Sequence, residues 1–315
     1  MRVLFWGTPE FATPPLRALL GEGFDVVGVV TQPDKPVGRS RSTLQAPPVK
    51  VVALEEGITV LQPAKPRGDD FVQRIRELQP DISVVVAYGH ILPRDVIDLP
   101  ARGTLNIHAS LLPELRGAAP IQAAIRDGLA WTGVSIMRMV ERLDAGPVIL
   151  QLGTTVTEDE TYGELALTLS ELGAAALVES LALMELGKAA EVQQVEAQAT
   201  YAHKIDRDAT RVDWTRDART VSRVVRAYDP KPGAFATLDG KDVKLFGARL
   251  VADTSKSKPG EVLAIDGDGL VVACGREDGA VRLLQVQPAG KKRMSPDEWL
   301  RGRGIKVGDR FEMSS

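Results

Sequence analysis

The chain of 315 residues contains one cysteine, Cys274, so no internal disulfide framework can hold it together. In its setting Val-Val-Ala-Cys-Gly that thiol reads as a small buried strand residue, not a nucleophile, and a reducing, cytoplasmic compartment is expected. No long apolar run opens the chain. Met1-Arg-Val-Leu-Phe-Trp-Gly passes straight into a strand and a turn, so neither a signal peptide nor a membrane span is expected. After that strand stands Gly7-Thr-Pro-Glu, without the further glycines that let a backbone close on a pyrophosphate, and nicotinamide binding is not expected. There is no Walker-type loop, and no His, Cys or carboxylate cluster has metal-ligand spacing, so no metal is expected either. Histidine is scarce: only His90, His108 and His203 occur.

What is present suits two domains, because 44% hydrophobic residues over this length can build two sizeable cores. The net charge of −3 is unevenly spread. Residues 209–315 hold 20 Lys and Arg against 15 Asp and Glu, leaving 19 against 27 for the front. The basic back is the portion suited to a polyanion, although a well-solvated basic surface has the same composition.

The opening reads β-α-β: an apolar strand at Arg2–Trp6, a helical stretch through Leu16 and Leu20, and a second strand at Asp25–Thr31. This predicts an α/β fold with a doubly wound, mostly parallel, Rossmann-like sheet. Gln32 to Lys50, with four prolines and the cations Lys35, Arg39, Arg41 and Lys50, reads as one long irregular loop, either ligand-gripping or simply mobile. The continuous run Asp81–Ala87 reads as a central buried strand, and Tyr88-Gly-His-Ile-Leu-Pro93 leaves its carboxyl end, where such sheets place ligands. Further strands are predicted at Gly133–Val140 and Val148–Val156, and a long helix packed across the sheet at Thr161–Leu186. Residues 1–190 are thus the first domain and 191–208 the linker. From 209 on, five short apolar segments between Gly- and Asp-rich turns predict a small β-barrel of the oligonucleotide-binding, OB-like kind. Cations gather after its last strand, at Lys291, Lys292 and Arg293.

The most site-like stretch is Thr104-Leu-Asn-Ile-His-Ala-Ser-Leu-Leu-Pro113. Strand alternation puts Asn106 and His108 on one face, and Pro113 stops the strand, since proline has no N–H to give a ladder. Asp144 stands in the turn-rich loop Glu141–Pro147. A lone histidine beside an apolar strand is more often structural than catalytic. An amide, an imidazole and a carboxylate together, however, suit acyl-type transfer without a covalent enzyme intermediate: an amine attacking a carbonyl must shed a proton, and the oxyanion needs a donor. Ser110 lacks a nucleophile-elbow pattern and reads as a turn or ligand-binding residue.

These residues carry a resemblance. Phe5-Trp-Gly-Thr-Pro-Glu-Phe11, Thr31-Gln-Pro-Asp34, Val84-Val-Val-Ala-Tyr-Gly89, Asn106-Ile-His-Ala-Ser-Leu-Leu-Pro113, Arg116-Gly-Ala-Ala-Pro-Ile-Gln122, Leu143-Asp-Ala-Gly146 and Gln287-Pro-Ala-Gly-Lys-Lys292 resemble the folate-dependent formyltransferase family. The basic loop after Thr31 and the C-terminal barrel narrow the resemblance to its members that act on methionyl-tRNA. What it implies is transfer of the formyl group of 10-formyltetrahydrofolate, a cosubstrate, to the amino group of methionine on initiator methionyl-tRNA, for translation initiation. Asn106, His108 and Asp144 match the family's catalytic trio. Ser110, Leu111, Leu112 and Pro113 match its folate segment, and Tyr88, Gly89, Ile91, Leu92 and Leu143 would line the pterin side. Arg39 and Arg41 would engage the acceptor end of the tRNA, and Lys291, Lys292 and Arg293 its backbone. The enzyme is expected to be a monomer acting away from membranes. The alternatives are a small-molecule folate-dependent formyltransferase, a 10-formyltetrahydrofolate hydrolase, or, in a different class, a nucleic-acid-binding protein on an inactive scaffold.

Overall fold

Five-residue runs that are apolar at almost every position, such as Ile82–Val86, cannot present a solvated face, so they form strands covered on both sides. The computed structural model describes residues 1–37, 43–252, 257–275 and 279–313, which leaves Arg39 and Arg41 outside the described residues. Its contacts divide the chain into two compact units. One comprises Met1–Gly117, Thr132–Thr154 and Ala166–Ala202; the other comprises Ala118–Trp131, Thr155–Leu165 and the chain from His203 onward.

In chain order the first unit holds β1 (Arg2–Gly7), α1 (Thr13–Gly21), β2 (Asp25–Val30), β3 (Lys35–Val37), β4 (Thr43–Gln45), α2 (Pro48–Glu55), β5 (Val60–Leu61), α3 (Asp69–Leu78), β6 (Ile82–Val86), α4 (Arg94–Ile97), β7 (Thr104–His108) and β8 (Arg116–Gly117). After α5 (Pro120–Arg126), which counts with the second unit, come β9 (Trp131–Arg138), β10 (Val148–Thr155), α6 (Tyr162–Glu185) and β11 (Tyr201–Ala202). The main sheet has the order β10-β9-β7-β6-β1-β2-β5. Strands β1, β2, β5, β6 and β7 run parallel and β9 is antiparallel to β7, the expected doubly wound, mostly parallel arrangement. From β1 the chain winds outward through β2 to β5, then returns to β6 on the other side. The switch point therefore lies between β1 and β6, where open sheets leave a crevice beyond the strand ends. Hydrogen bonds tie those ends together: Thr8 Oγ1 and Gln32 Nε2 both donate to the Tyr88 carbonyl, at 2.9 and 3.1 Å.

The reading of Gln32–Lys50 as one irregular loop needs correction. Strands β3 and β4 pair as an antiparallel hairpin, and α2 already starts at Pro48, a residue suited to a first helical turn because its missing N–H would be unpaired there anyway. Lys50 belongs to that helix and pairs with Asp34 at 2.8 Å, so it anchors the base of the hairpin. The hydrogen bond from Gln62, and then the one from Lys50, hold the Asp34 carboxyl below its ordinary range.

Helix α6 is long and apolar enough, by length and composition, to cross a membrane. Its burial explains that composition: Leu169, Leu177 and Leu181 recur on one face and are fully buried. Gly173 lets it approach β7 so closely that a Cβ there would lie 2.9 Å from Ile107 Cγ2. Ile107 thus faces α6, and Asn106 and His108, alternating with it, face the other side of the sheet.

The second unit adds α7 (Ala218–Ala227), capped by Asp217, then β12 (Ala234–Leu238), β13 (Lys241–Ala252), β14 (Val262–Asp266), β15 (Gly269–Ala273), β16 (Gly279–Pro288) and α8 (Pro296–Arg301). The five strands form one antiparallel sheet, β12-β13-β16-β15-β14. Its two edges do not stay open. Val262 N donates to the Asp309 carbonyl and Phe311 N to the Gly260 carbonyl on the β14 side, while Glu312 N donates to the Thr237 carbonyl of β12. One C-terminal segment thus bridges both edges and closes a small barrel, removing the unpaired backbone an edge would expose. Phe311 also stacks on buried Trp214, with ring centroids 5.3 Å apart.

Candidate active site

Strand β7 ends at His108, opposite Ser135 of β9, and carries Asn106 two residues earlier on the same face. Asn106 is half-buried and its side-chain amide has no hydrogen-bond partner among the described residues, so both N–H donors are available to a ligand. His108 is buried. Its Nε2 lies 2.9 Å from the Leu115 carbonyl and its Nδ1 lies 3.8 Å from Asp144 Oδ2. A carbonyl oxygen only accepts, so Nε2 carries a hydrogen, and in the neutral form of the ring the bare nitrogen is Nδ1, on the Asp144 side. The Leu115 carbonyl, not Asp144, thus sets the tautomer, since 3.8 Å is an ion-pair distance and not a hydrogen bond.

Asp144 arrives from the loop between β9 and β10 and is held in an uncommon backbone conformation, φ +48°. Leu115, which holds His108, has φ +54°, and Ala87, just past β6, has φ +47°. Strained non-glycine residues gather where a fold dictates loop geometry for function. Asp144 Oδ2 accepts a 2.8 Å hydrogen bond from Gly117 N. Gly117 is irreplaceable in that role: it has φ +115°, and a Cβ would lie 2.6 Å from the Ala202 carbonyl oxygen.

The segment Ser110–Pro113 is pinned from β9 and β10. Ser135 Oγ donates to the Ser110 carbonyl at 2.6 Å and accepts from Leu112 N at 3.0 Å, and Gln151 Nε2 bonds both Ser135 Oγ and the Leu112 carbonyl. Ser110 Oγ itself donates to the Glu114 carbonyl at 2.5 Å, the turn role open to it from sequence. Of the other ligand-side candidates, Tyr88 and Leu92 are buried in the core cluster with Trp6, and the Tyr88 phenol is pushed up to about 12 by burial. Ile91 and Leu143 are instead 88% and 59% exposed. Two bare apolar side chains on loops at this end of the sheet offer surface that a flat heteroaromatic ring could cover.

Residues that sequence reasoning passed over complete the site. Arg116, only 1% exposed, donates to Gln194 Oε1 through Nε and Nη2 and to Glu196 Oε2 through Nη1. The Arg116 hydrogen bond holds the Glu196 carboxyl below its ordinary range. Thr200 Oγ1 accepts from Leu115 N at 2.8 Å, and β11 pairs with β8. Residues 194–202, read as linker for want of periodicity, are thus bound to the site's loops. Ser135 carried a fainter signal, as a hydroxyl in a mostly apolar strand.

In the second unit Lys291 and Lys292 are exposed beside the turn after β16, where Lys291 N donates to the Pro288 carbonyl. Arg293 serves the barrel itself: Nη1 is 3.2 Å from Asp229 Oδ1, and the guanidinium sits 3.9 Å over the Phe246 ring.

Comparison with known proteins bears on this arrangement. The formyl transferase family model matches residues 1–181, and that of the formyl transferase C-terminal domain matches residues 204–304. A methionyl-tRNA formyltransferase of Bacillus mycoides (strain KBAB4) is 45% identical over 311 residues, covering 99% of this chain and 98% of that protein. Among solved structures, HypX from Aquifex aeolicus in complex with tetrahydrofolic acid superposes with a TM-score of 0.67 at 23% identity, over 100% of this chain and 51% of its own length. The methionyl-tRNA formyltransferase from Clostridium thermocellum gives 0.56 at 11% identity, over 82% of this chain and 95% of that one. Those two likenesses are of fold; the first, nearly full-length and close in sequence, is of lineage, and the chain belongs to the formyl transferase family, in its methionyl-tRNA formyltransferase branch.

Proposed function

We infer that the protein transfers the formyl group of 10-formyltetrahydrofolate to the α-amino group of methionine on initiator methionyl-tRNA, the reaction that readies this tRNA for translation initiation. The observation that carries this reading is the near end-to-end match to a methionyl-tRNA formyltransferase in a chain whose Asn106, His108 and Asp144 share one site. A match confined to the first unit would equally suit a small-molecule formyltransferase or a formyl-folate hydrolase. The 45% identity to a methionyl-tRNA formyltransferase over 99% of this chain favours the tRNA acceptor.

The division of labour follows from the atoms. Asn106 donates to the formyl oxygen as it becomes an oxyanion; such a preorganised donor contributes about 2.7–4 kcal/mol of transition-state stabilisation. His108 Nδ1, left bare by the Nε2 bond to Leu115, takes the proton that the attacking amine sheds and returns it to the departing folate nitrogen. Asp144, 3.8 Å away, balances the imidazolium between those two events. Ser110 to Pro113, with the exposed Ile91 and Leu143 and with Tyr88, Gly89 and Leu92, form the folate side. Lys291, Lys292 and Arg293 follow the tRNA backbone, and Arg39 and Arg41 engage its acceptor end. In this reading residues 1–190 are the catalytic domain, 191–208 the connection and 209–315 the tRNA-binding domain.

The test is direct. Protein mixed with 10-formyltetrahydrofolate should formylate methionine on charged initiator tRNA and leave free methionine untouched. Release of formate without transfer, or equal use of free methionine, would sink the reading.

A further inference from the structure

Asp144 is held by one dipeptide at two places, its carboxylate and its backbone. Gly117 N donates to its Oδ2 at 2.8 Å, and the side chain of the preceding residue, Arg116, reaches the Asp144 backbone through Gln194. Gln194 Nε2 donates to the carbonyls of Asp144, at 2.9 Å, and Gly146, at 2.7 Å. Its Oε1 receives both Nε and Nη2 of Arg116, at 3.0 and 2.8 Å. This pattern leaves no freedom to the amide: turned over, it would set an NH₂ group against a guanidinium and an oxygen against two carbonyls. Glu196 neutralises the buried cation from its other edge, at 3.0 Å, and also pairs with Arg142 on the Asp144 loop itself. The loop has work for such a clamp. Asp144 holds φ +48°, and a Cβ on Gly146 would lie 1.9 Å from the Arg138 carbonyl oxygen, so the loop is pressed against β9 in a conformation it would not adopt unaided.

We propose that Gln194, oriented by Arg116, is the positioning residue that sets Asp144 against His108, so that the strap after α6 belongs to the active site. Gln194 touches no reacting atom; it acts through the Asp144 loop. The inference rests on the reading of Asn106, His108 and Asp144 as the reacting groups.

The discriminating change is Gln194→Glu, which keeps two acceptors for Arg116 but turns an oxygen toward the Asp144 and Gly146 carbonyls. Displacing a catalytic group by about 1 Å costs on the order of 100-fold in rate. A fall of that size in kcat is expected, with KM for tRNA within about twofold, because the lysines assigned to the tRNA lie in the second unit. Gln194→Met, which fills the space without either hydrogen bond, should show the same split, and it carries the test if the glutamate variant does not fold. A second readout needs no turnover: the ¹⁵N resonances of the His108 ring should move in both variants, since the carboxylate facing Nδ1 is displaced. Unchanged kcat in a folded variant, or unmoved His108 resonances, overturns the proposal. Wild-type protein unable to formylate charged tRNA would instead overturn the functional reading, while the His108 resonances still report on the clamp.

Discussion

The Leu115 carbonyl oxygen lies 2.9 Å from His108 Nε2, and Leu115 takes up a left-handed conformation, φ +54°, in the turn that brings it there. The bond uses one ring nitrogen and leaves the other, Nδ1, beside Asp144, where the proposed reaction would have it exchange the proton. His108→Ala should nearly abolish formyl transfer while tRNA affinity stays as it was. His108→Gln, whose amide N–H can keep the Leu115 bond but whose oxygen is a poor base, should be about as inactive. Single-turnover formylation alongside tRNA binding checks both, and substantial turnover in His108→Gln would remove Nδ1 from the mechanism.

Asn106→Ala deletes an amide donor pair that has no partner among the described residues. A loss of about 100- to 1,000-fold in kcat is expected with stability nearly unchanged, since no hydrogen bond of the resting fold is broken. Steady-state kinetics beside a thermal melt would show it; a large drop in melting temperature would instead make Asn106 a structural residue.

Gly117→Ala meets two obstacles at once, the Ala202 oxygen 2.6 Å from the new Cβ and a backbone at φ +115°. Urea denaturation should report a loss of about 1–3 kcal/mol, the range for such backbone strain, and activity should fall further than stability because Gly117 N also aligns Asp144.

Ser135→Ala leaves Leu112 N and the Ser110 carbonyl without their hydroxyl partner in a buried setting. A destabilisation of about 1–3 kcal/mol is expected. Because those groups shape Ser110–Pro113, KM for 10-formyltetrahydrofolate should rise while that for tRNA does not.

Glu196 has its carboxyl held below the ordinary 4.5, first by Arg116 and then by Arg142. A lowered value means the pairing contributes fully above 4.5 and is lost as pH falls through the lowered value. Melting temperatures of wild type and Glu196→Gln should differ at neutral pH and converge in acid below that point. A difference that persists unchanged into strong acid would exclude Glu196 as the source.

Lys291→Ala combined with Lys292→Ala should weaken tRNA binding and reduce the slope of log affinity against log salt by about 1.4–1.8, if each lysine neutralises one phosphate. An unchanged slope would move the tRNA path to another surface of the barrel.

How far the residues alone reached depends on the range of the interactions involved. Strand β7 was legible because alternation and the proline stop act within ten residues, and it runs from Thr104 to His108 as its pattern requires. The five barrel strands were legible from their turns, and the parallel sheet from its β-α-β opening. The hairpin β3–β4 was hidden by prolines that usually break strands; Pro36 pairs with Leu44 inside it. Gln194 had no signal at all, because a single amide in an aperiodic stretch becomes meaningful only when a chain 50 residues away is folded against it.

Sequence by itself determined the alphabet of the site: an amide and an imidazole spaced for one strand face, a carboxylate in a turn-rich loop, and enough likeness to name a family. Those are local patterns and residue identities, which survive without coordinates. Tertiary structure decided the working geometry. Which ring nitrogen of His108 is bare depends on Leu115, where Asp144 sits depends on Gly117 and Gln194, and whether α6 is a core helix or a membrane candidate depends on what covers it. Each is a contact between segments far apart in the chain, and its energy exists only once the backbone has already been paid into place.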